Sequence, residues 1–459
     1  MKDLTKGNIY RTFFSFAIPL VFAGMLSQMF STVNAIVAGW YFENGLASIG
    51  ATEPFIQFFS SIFWGYNTGF SVLIAQRFGA QDFEGIKKLL KTHFILLGCS
   101  VTLASLAMAA LHPFIFDFLQ IAPELRADAA GYFVIYMIGL PILIFNNSLL
   151  CIMHSFGISG FTSTMSILSM GINLAGNLLI ANFWDIGPAG LAFASIVGNA
   201  VVLILYIVKL KKCYREMGIA HVKTRFDRTL LPDIFRYALP TSFQQLSMYF
   251  ASMILSPFTN RLGTDASAAY SVQTRIVALG SALYFNASKA LTTYTSQSIG
   301  AGELGNLKKG VRAGFLQGMV FTTPVVLVCV LFPNAVATLF LGNGETGMAV
   351  TYATQFALFC MPFSVFNMIG NLFHSYFRGT AVMRALIATT LFGSIVRIVL
   401  TALLVGRYEM YGVLIGWIGS WVADGGLGLL IYFTTNWPAL LAHQVPSNAP
   451  TSYKKSGIS

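Results

Sequence analysis

Residues 76–94 return 221 positions later as residues 297–315. At that constant offset Gln76, Gly79, Ala80, Lys87, Lys88 and Phe94 fall on Gln297, Gly300, Ala301, Lys308, Lys309 and Phe315, while Asp82 and Lys91 fall on the charge equivalents Glu303 and Arg312. The same offset pairs Ala17-Ile-Pro19 with Ala238-Leu-Pro240, Pro141 with Pro362 and Asn146 with Asn367; His154-Ser-Phe answers His374-Ser-Tyr after a slip of one residue. The chain is an internal duplication, so whatever the first half folds into, the second half must fold into as well.

What the halves can be is limited by their apolar content. Of 459 residues, 56% are hydrophobic and 10% charged, more apolar surface than a water-soluble core can hide. Apolar runs near 13–38, 47–76, 90–112, 128–153, 160–182, 188–210, 235–259, 268–298, 311–334, 350–373, 385–405 and 410–434 give twelve expected membrane spans. A fold of twelve transmembrane helices, all α, follows. The repeats start an even number of spans apart, so both enter the bilayer from one side and are related by an axis along the membrane normal. The expected domains are an N-terminal six-helix bundle over 1–208, a basic linker over 209–234, a C-terminal six-helix bundle over 235–436 and a tail over 437–459.

A net charge of +11 invites a nucleic-acid partner, but the positions of the basic residues argue against one. Twenty-two of the 28 Lys and Arg fall in connections on one side of the expected topology, and only Arg126, Arg261 and Arg407 on the other. By the positive-inside rule both termini are expected in the cytoplasm, in a multi-pass protein of the plasma or inner membrane. The first apolar stretch is too long for a cleaved leader and is expected to be retained. The five cysteines show no paired spacing, and neither disulfides nor a metal-ligand set is expected. No nucleotide-binding loop or nucleophile motif occurs, so an enzyme is not expected, nor an ATP-driven device within this chain.

The pattern resembles the multidrug and toxic compound extrusion (MATE) transporters. The matching pieces are Val33-Asn-Ala-Ile-Val-Ala-Gly39 with Leu46-Ala-Ser-Ile-Gly50, the two Gly-Ala-x-acid loops at Gly79 and Gly300, Gly263-Thr-Asp-Ala-Ser-Ala-Ala-Tyr270, Leu291-Thr-Thr-Tyr-Thr-Ser-Gln-Ser-Ile-Gly-Ala301 and Tyr376-Phe-Arg-Gly379. The resemblance implies a secondary active antiporter that exports cationic or amphipathic small organic compounds by alternating access, against influx of sodium ions or protons. A flippase of lipid-linked saccharides from the same broad superfamily is the alternative, and a non-transporting membrane protein a weaker one. Beyond the coupling ion no cofactor is implied; the expected partners are small organic substrates and membrane lipids, with no nucleic acid, and a monomer is expected.

The chain departs from the family where cations are usually held. Asn34 stands where the family places an aspartate in the first span, Asn173-Leu-Ala-Gly-Asn177 where it has Asn and then Asp, and Ser195 where Thr is common. Amides offer carbonyl oxygens and N–H donors but no titrating proton. Counting from the expected hairpins near 43 and 186 puts Asn34, Glu53, Asn177 and Ser195 at one depth, about 14 Å from the outer helix ends at ~1.5 Å per residue. Those four and Asn173 are the candidate cation and coupling residues; sodium at Asn34 and Asn177 is the one metal considered, and Glu53 is the acid to which coupling would move. Intramembrane charge calls for a reason. Lys289 and Asn286 in span eight, Gln244 and Gln245 in span seven and Asp424 in span twelve are candidate substrate-cleft residues, with helix packing through hydrogen bonds the competing role for Asp424. His154 and His374 are expected at equivalent helix ends, in cap-like hydrogen bonds.

Overall fold

The computed structural model describes residues 1, 3–42, 45–183, 187–260, 262, 264–341 and 347–444, leaving some side chains inside helices, Asn34's among them, outside the description. Twelve long helical rods match the twelve expected spans: α1 (Ile9–Tyr41), α2 (Gly45–Gly79), α3 (Phe83–Ala110), α4 (Arg126–Ser155), α5 (Gly160–Phe183), α6 (Ala189–Glu216), α7 (Leu231–Asn260), α8 (Thr264–Gly300), α9 (Leu307–Leu331), α10 (Met348–Gly379), α11 (Met383–Tyr408) and α12 (Met410–Thr434). Helices are the form such a chain must take, since in lipid each backbone N–H and C=O has to find its partner within the segment. Nine of these stretches among the described residues are long and apolar enough to cross a bilayer on composition alone. The equally long α2, α7 and α8 carry more polar side chains.

The chain divides into two compact units. The first comprises Met1–Asp3 and Leu26–Ser242, the second Leu4–Met25 and Phe243–Ser459. The leading part of α1 thus packs within the second unit and the leading part of α7 within the first, and these two segments carry the duplicated Ala-x-Pro elements. In the first unit α7 lies so close to α2 that a Cβ on Gly69 would stand 2.3 Å from the Tyr237 carbonyl oxygen. In the second unit the Phe13 ring meets Tyr294 edge-on at 5.1 Å, and Gln317 Nε2 donates to the Phe13 carbonyl at 3.2 Å.

The duplicated basic loops share one backbone device. Gln81 and Gly302, equivalent at the repeat offset, both take positive φ, 58° and 77°, which ends the preceding helix in a left-handed residue. Asp82 then caps α3 by accepting from Gly85 N at 2.9 Å and pairs with Arg77. Lys87 donates to the carbonyls of Ile219 (2.6 Å) and Ala220 (2.9 Å), beyond the end of α6, so this signature residue ties a loop to a helix end where cations are favoured.

The equivalent prolines Pro141 and Pro362 are absorbed differently. Pro141 sits inside a continuous α4, whereas α10 passes through a π-turn at Phe356–Cys360 and a 3-10 turn at Met361–Phe363. Proline removes one N–H and crowds the carbonyl four residues back, and a π-turn with a 3-10 turn is one way to relieve both. Each unit has its own core: Phe70, Phe133, Met137, Ile144, Phe156 and Tyr206 in the first, and Ile276, Phe356, Met361, Trp417 and Trp421 in the second.

Candidate functional site

In the first unit α5 and α6 pack through small residues. A Cβ on Gly176 would lie 2.9 Å from that of Ala194, and one on Gly198 would lie 2.8 Å from the Ser169 carbonyl oxygen. Such close approach brings short polar side chains on facing helices within reach of one another. Asn173 Nδ2 donates to Ser195 Oγ at 2.7 Å, and Asn177 Nδ2, one turn along, donates to Asn173 Oδ1 at 3.3 Å. Ser195 passes its own hydroxyl proton to the Leu191 carbonyl at 3.0 Å. Asn199 Nδ2 donates to the Ser195 carbonyl (2.9 Å), and Asn146 Nδ2 on α4 donates to Asn199 Oδ1 (2.6 Å), carrying the chain onto a third helix. Three of the expected cation-site residues, Asn173, Asn177 and Ser195, therefore lie in one amide and hydroxyl chain, the two asparagines buried and the serine half-buried; the Asn34 side chain lies outside the described residues.

Glu53 is placed differently from that chain. It is exposed on α2, accepts from Gln57 one turn along at 3.4 Å, and lies close enough to Tyr132 and Tyr136 on α4 for its charge to act on their hydroxyls. Those two rings are 5.9 Å apart.

In the second unit Lys289 Nζ donates to Asn286 Oδ1 at 2.8 Å and sits 5.3 Å from the Phe285 ring, so Lys289 and Asn286 form one polar group on α8. Gln244 is buried and accepts from Arg378 Nη2 at 2.8 Å, while its neighbour Gln245 is half-buried. Arg397 stacks 3.9 Å over Trp417 and donates to the Tyr270 hydroxyl at 3.2 Å, a cation held by a π-face and a neutral oxygen. Asp424 pairs with His374, Oδ1 to Nε2 at 2.9 Å.

His154 lies in the last turn of α4, as expected, whereas His374 lies further inside its helix. His374 lies inside α10 and meets Asp424 and the Thr390 hydroxyl (3.3 Å), and His154 Nε2 meets Thr162 Oγ1 at 3.0 Å. Sequence reasoning also missed Asn146 with Asn199, and His93, which is fully buried between Ser148 Oγ (2.7 Å) and the Tyr66 hydroxyl (3.3 Å). For Asn199 a signal was present, since it falls one helical turn after Ser195 on the same face. Among the described residues no group of three or more His, Cys, Asp or Glu is arranged to hold a metal ion. What the first unit can offer a cation is a set of neutral oxygens, which coordinate without titrating.

Two duplicated helical bundles with polar chains between apolar helices fit a membrane transporter of the parallel-repeat kind. The comparisons with known proteins make the class specific. The sequence model of the family described as MatE matches residues 19–179 and 240–403, and the chain belongs to that family, the MATE transporters. It is therefore a multi-pass membrane protein of a multidrug-efflux family and not an enzyme. The chain is 24% identical over 358 residues to a Bacillus subtilis (strain 168) protein named "Probable multidrug resistance protein YoeA", covering 74% of this chain and 76% of that one. With the "Multidrug export protein MepA" of Staphylococcus aureus (strain N315) it shares 20% identity over 398 residues, 85% of this chain and 86% of the relative. A solved structure of a multidrug resistance MATE family transporter of the MOP superfamily in an outward-facing conformation superposes with a TM-score of 0.86 at 20% identity, over 97% of this chain and 99% of the other. At that identity the likeness speaks for the fold: twelve helices in two bundles.

Proposed function

We propose that this protein is a secondary active exporter of cationic or amphipathic small organic compounds, working by antiport against an inward cation gradient, with both termini in the cytoplasm. The observation that carries the reading is the amide and hydroxyl chain through the buried Asn177 and Asn173 and the half-buried Ser195 inside a MATE-family bundle. A polar chain in the middle of apolar helices is costly unless used, and here it is a ready bed for a monovalent cation or for polar groups of a substrate. The relatives named as multidrug export and multidrug resistance proteins support the substrate class. The energetics suffice: one cation entering down about 100 mV releases roughly 2.3 kcal/mol, enough to hold a substrate gradient of roughly fifty-fold. Small organic solutes and lipids are the partners in this reading, the entering cation is the only ion required, and the protein works as a monomer.

The test is transport of ethidium in proteoliposomes with proton and sodium gradients imposed separately. Gradient-dependent accumulation supports the reading. Absence of accumulation with both gradients, together with absence of ethidium exchange at equal concentrations, would refute it and turn attention to the flippase alternative, for which the Lys289 and Asn286 group on α8 would be the place to look for an anionic headgroup.

A further inference from the structure

We propose that His374 and Asp424 form a proton-exchanging site in the second unit, and that the proton bound there is the ion that drives export; this rests on the exporter reading above. The pair joins two membrane helices, α10 and α12, at 2.9 Å, with the imidazole 7% and the carboxylate 16% exposed. It is the only ion pair made by Asp424 among the described residues. The carboxylate's place is carved into the packing: a Cβ on Gly370 would stand 2.5 Å from Asp424 Oδ2, and one on Gly393 would stand 2.9 Å from Asp424 Cβ. Two helices leave out side chains at the positions where this acid sits.

The hydrogen bonds fix where protons are. Thr390 donates its hydroxyl proton to the Leu386 carbonyl at 2.9 Å, so toward His374 Nε2, 3.3 Å away, its oxygen can only accept. An ionised Asp424 also only accepts. Both neighbours therefore require hydrogen on Nε2, and the proton gained or lost by the pair is carried as a second hydrogen on the imidazole, at Nδ1. With that proton the pair is neutral overall, as imidazolium and carboxylate; without it the site holds one net negative charge. A net charge between apolar helices is unfavourable, and it becomes tolerable as water reaches it. Asp424, at 16% exposure, is the more accessible member of the pair. Opening or closing that access moves the proton affinity of the site, which is what coupling to a conformational cycle requires.

The charged and titratable groups around the pair are otherwise engaged. On α10 itself Arg378 is bound to Gln244, and Tyr376 packs edge-on against Tyr432 of α12 at 5.4 Å. On α11 Arg397 is bound to Tyr270 and Trp417, and Arg384 lies at the far end, six residues before Thr390. From α8 Lys289 is bound to Asn286, and Tyr294 donates to the Asn306 carbonyl at 3.3 Å. From α9 Arg312 is near enough to Tyr432 for its charge to act there.

The charge inventory points to the same pair. The chain through Asn173, Asn177 and Ser195 contains nothing that titrates. Among the described residues of the second unit the other acids, Asp265, Glu303 and Glu409, fall at a helix start or in connections, which leaves Asp424 as the acid within a span. The duplication underlines its singularity. His154 repeats His374, but at the repeat offset Asp424 corresponds to Leu203, so the carboxylate is a feature of the second unit alone.

The experiment uses the full chain with Asp424→Asn and His374→Gln, both close in shape to the originals. Ethidium accumulation in proteoliposomes under a proton gradient should fall by about tenfold or more in each variant. Ethidium exchange at equal concentrations, which needs no driving ion, should fall less than accumulation does in each variant. In a second arm, without substrate, the purified protein in detergent is titrated with a pH dye between about pH 5 and pH 8, where imidazoles change charge. Wild type should take up about one proton more than Asp424→Asn over that range. Undiminished proton-driven accumulation in both variants, or a sodium gradient sufficing for wild type, would overturn the coupling role. Identical proton uptake by wild type and both variants would overturn the site itself. If wild type neither accumulates nor exchanges ethidium, the exporter reading fails, while the titration arm still decides whether the site exists.

Discussion

The bond from Asn173 to Ser195 is the link in the first unit whose removal can be given a size. At 2.7 Å it is at the short end for an N–H···O bond. The Ser195 hydroxyl gives its proton to Leu191, so its oxygen serves Asn173 as a pure acceptor. Ser195→Ala removes this acceptor from the Asn173 amide, which is only 8% exposed, and losing a hydrogen-bond partner of a buried polar group costs up to about 1–3 kcal/mol. Within a membrane bundle the pairwise part of such a bond averages about 0.6 kcal/mol and reaches about 1.7. The short distance and burial place this pair in the upper half, at about 1–1.5 kcal/mol. A double-mutant cycle of Ser195→Ala and Asn173→Ala, followed by SDS titration in mixed micelles, isolates the term. Ser195→Thr keeps the acceptor and should retain most of the stability. A coupling energy below about 0.3 kcal/mol would refute the reasoning, because the two side chains would then not be acting on one another.

Gln81→Gly should raise the melting temperature, since Gln81 holds a φ of 58° that its repeat partner Gly302 adopts without a Cβ, a difference of about 1 kcal/mol; a lowered melting temperature would count against the shared loop geometry. Gly69→Leu should abolish folded expression in size-exclusion profiles, because even its Cβ would stand 2.3 Å from the Tyr237 carbonyl oxygen, and a monodisperse protein at wild-type yield would contradict the tight α2 to α7 crossing. Cysteine-accessibility labelling should place positions beside Lys87 and Lys308 on the same, cytoplasmic side; opposite labelling would break the parallel-repeat topology. Asp227, whose carboxyl is held below the usual carboxylate range by hydrogen bonds from Thr229, should fix its loop at neutral pH and release it as pH falls through that lowered value, read as faster amide exchange at Thr229 and Leu230 in acid; exchange that slows on acidification beyond the intrinsic trend would refute the assignment.

Span number and duplication were legible because each is written locally. An apolar run of about 20 residues announces a span wherever it goes, and the repeat offset survives in identical loop residues. Counting from the expected turn near 186 set Asn177 level with Ser195, and the structure bonds Ser195 to Asn173, one helical turn from Asn177. The same counting set Glu53 at that depth but said nothing of azimuth: Glu53 lies beside Tyr132 and Tyr136, on a helix whose neighbours no hairpin count can name. His374 and Asp424 show the limit most sharply. They are 50 residues apart, on helices joined through a third, and their meeting depends on Gly370 and Gly393 leaving space. Each residue alone had a bland explanation in the sequence, a helix-end hydrogen bond for one and packing for the other. Paired, each removes the other's bland explanation, because a histidine engaged with a buried carboxylate is no longer a cap and an acid engaged with an imidazole is more than packing. What the sequence withholds in a helical membrane protein is therefore rotation about the helix axes, and chemistry that needs two rotations to agree appears only when small residues on a third helix let the side chains meet.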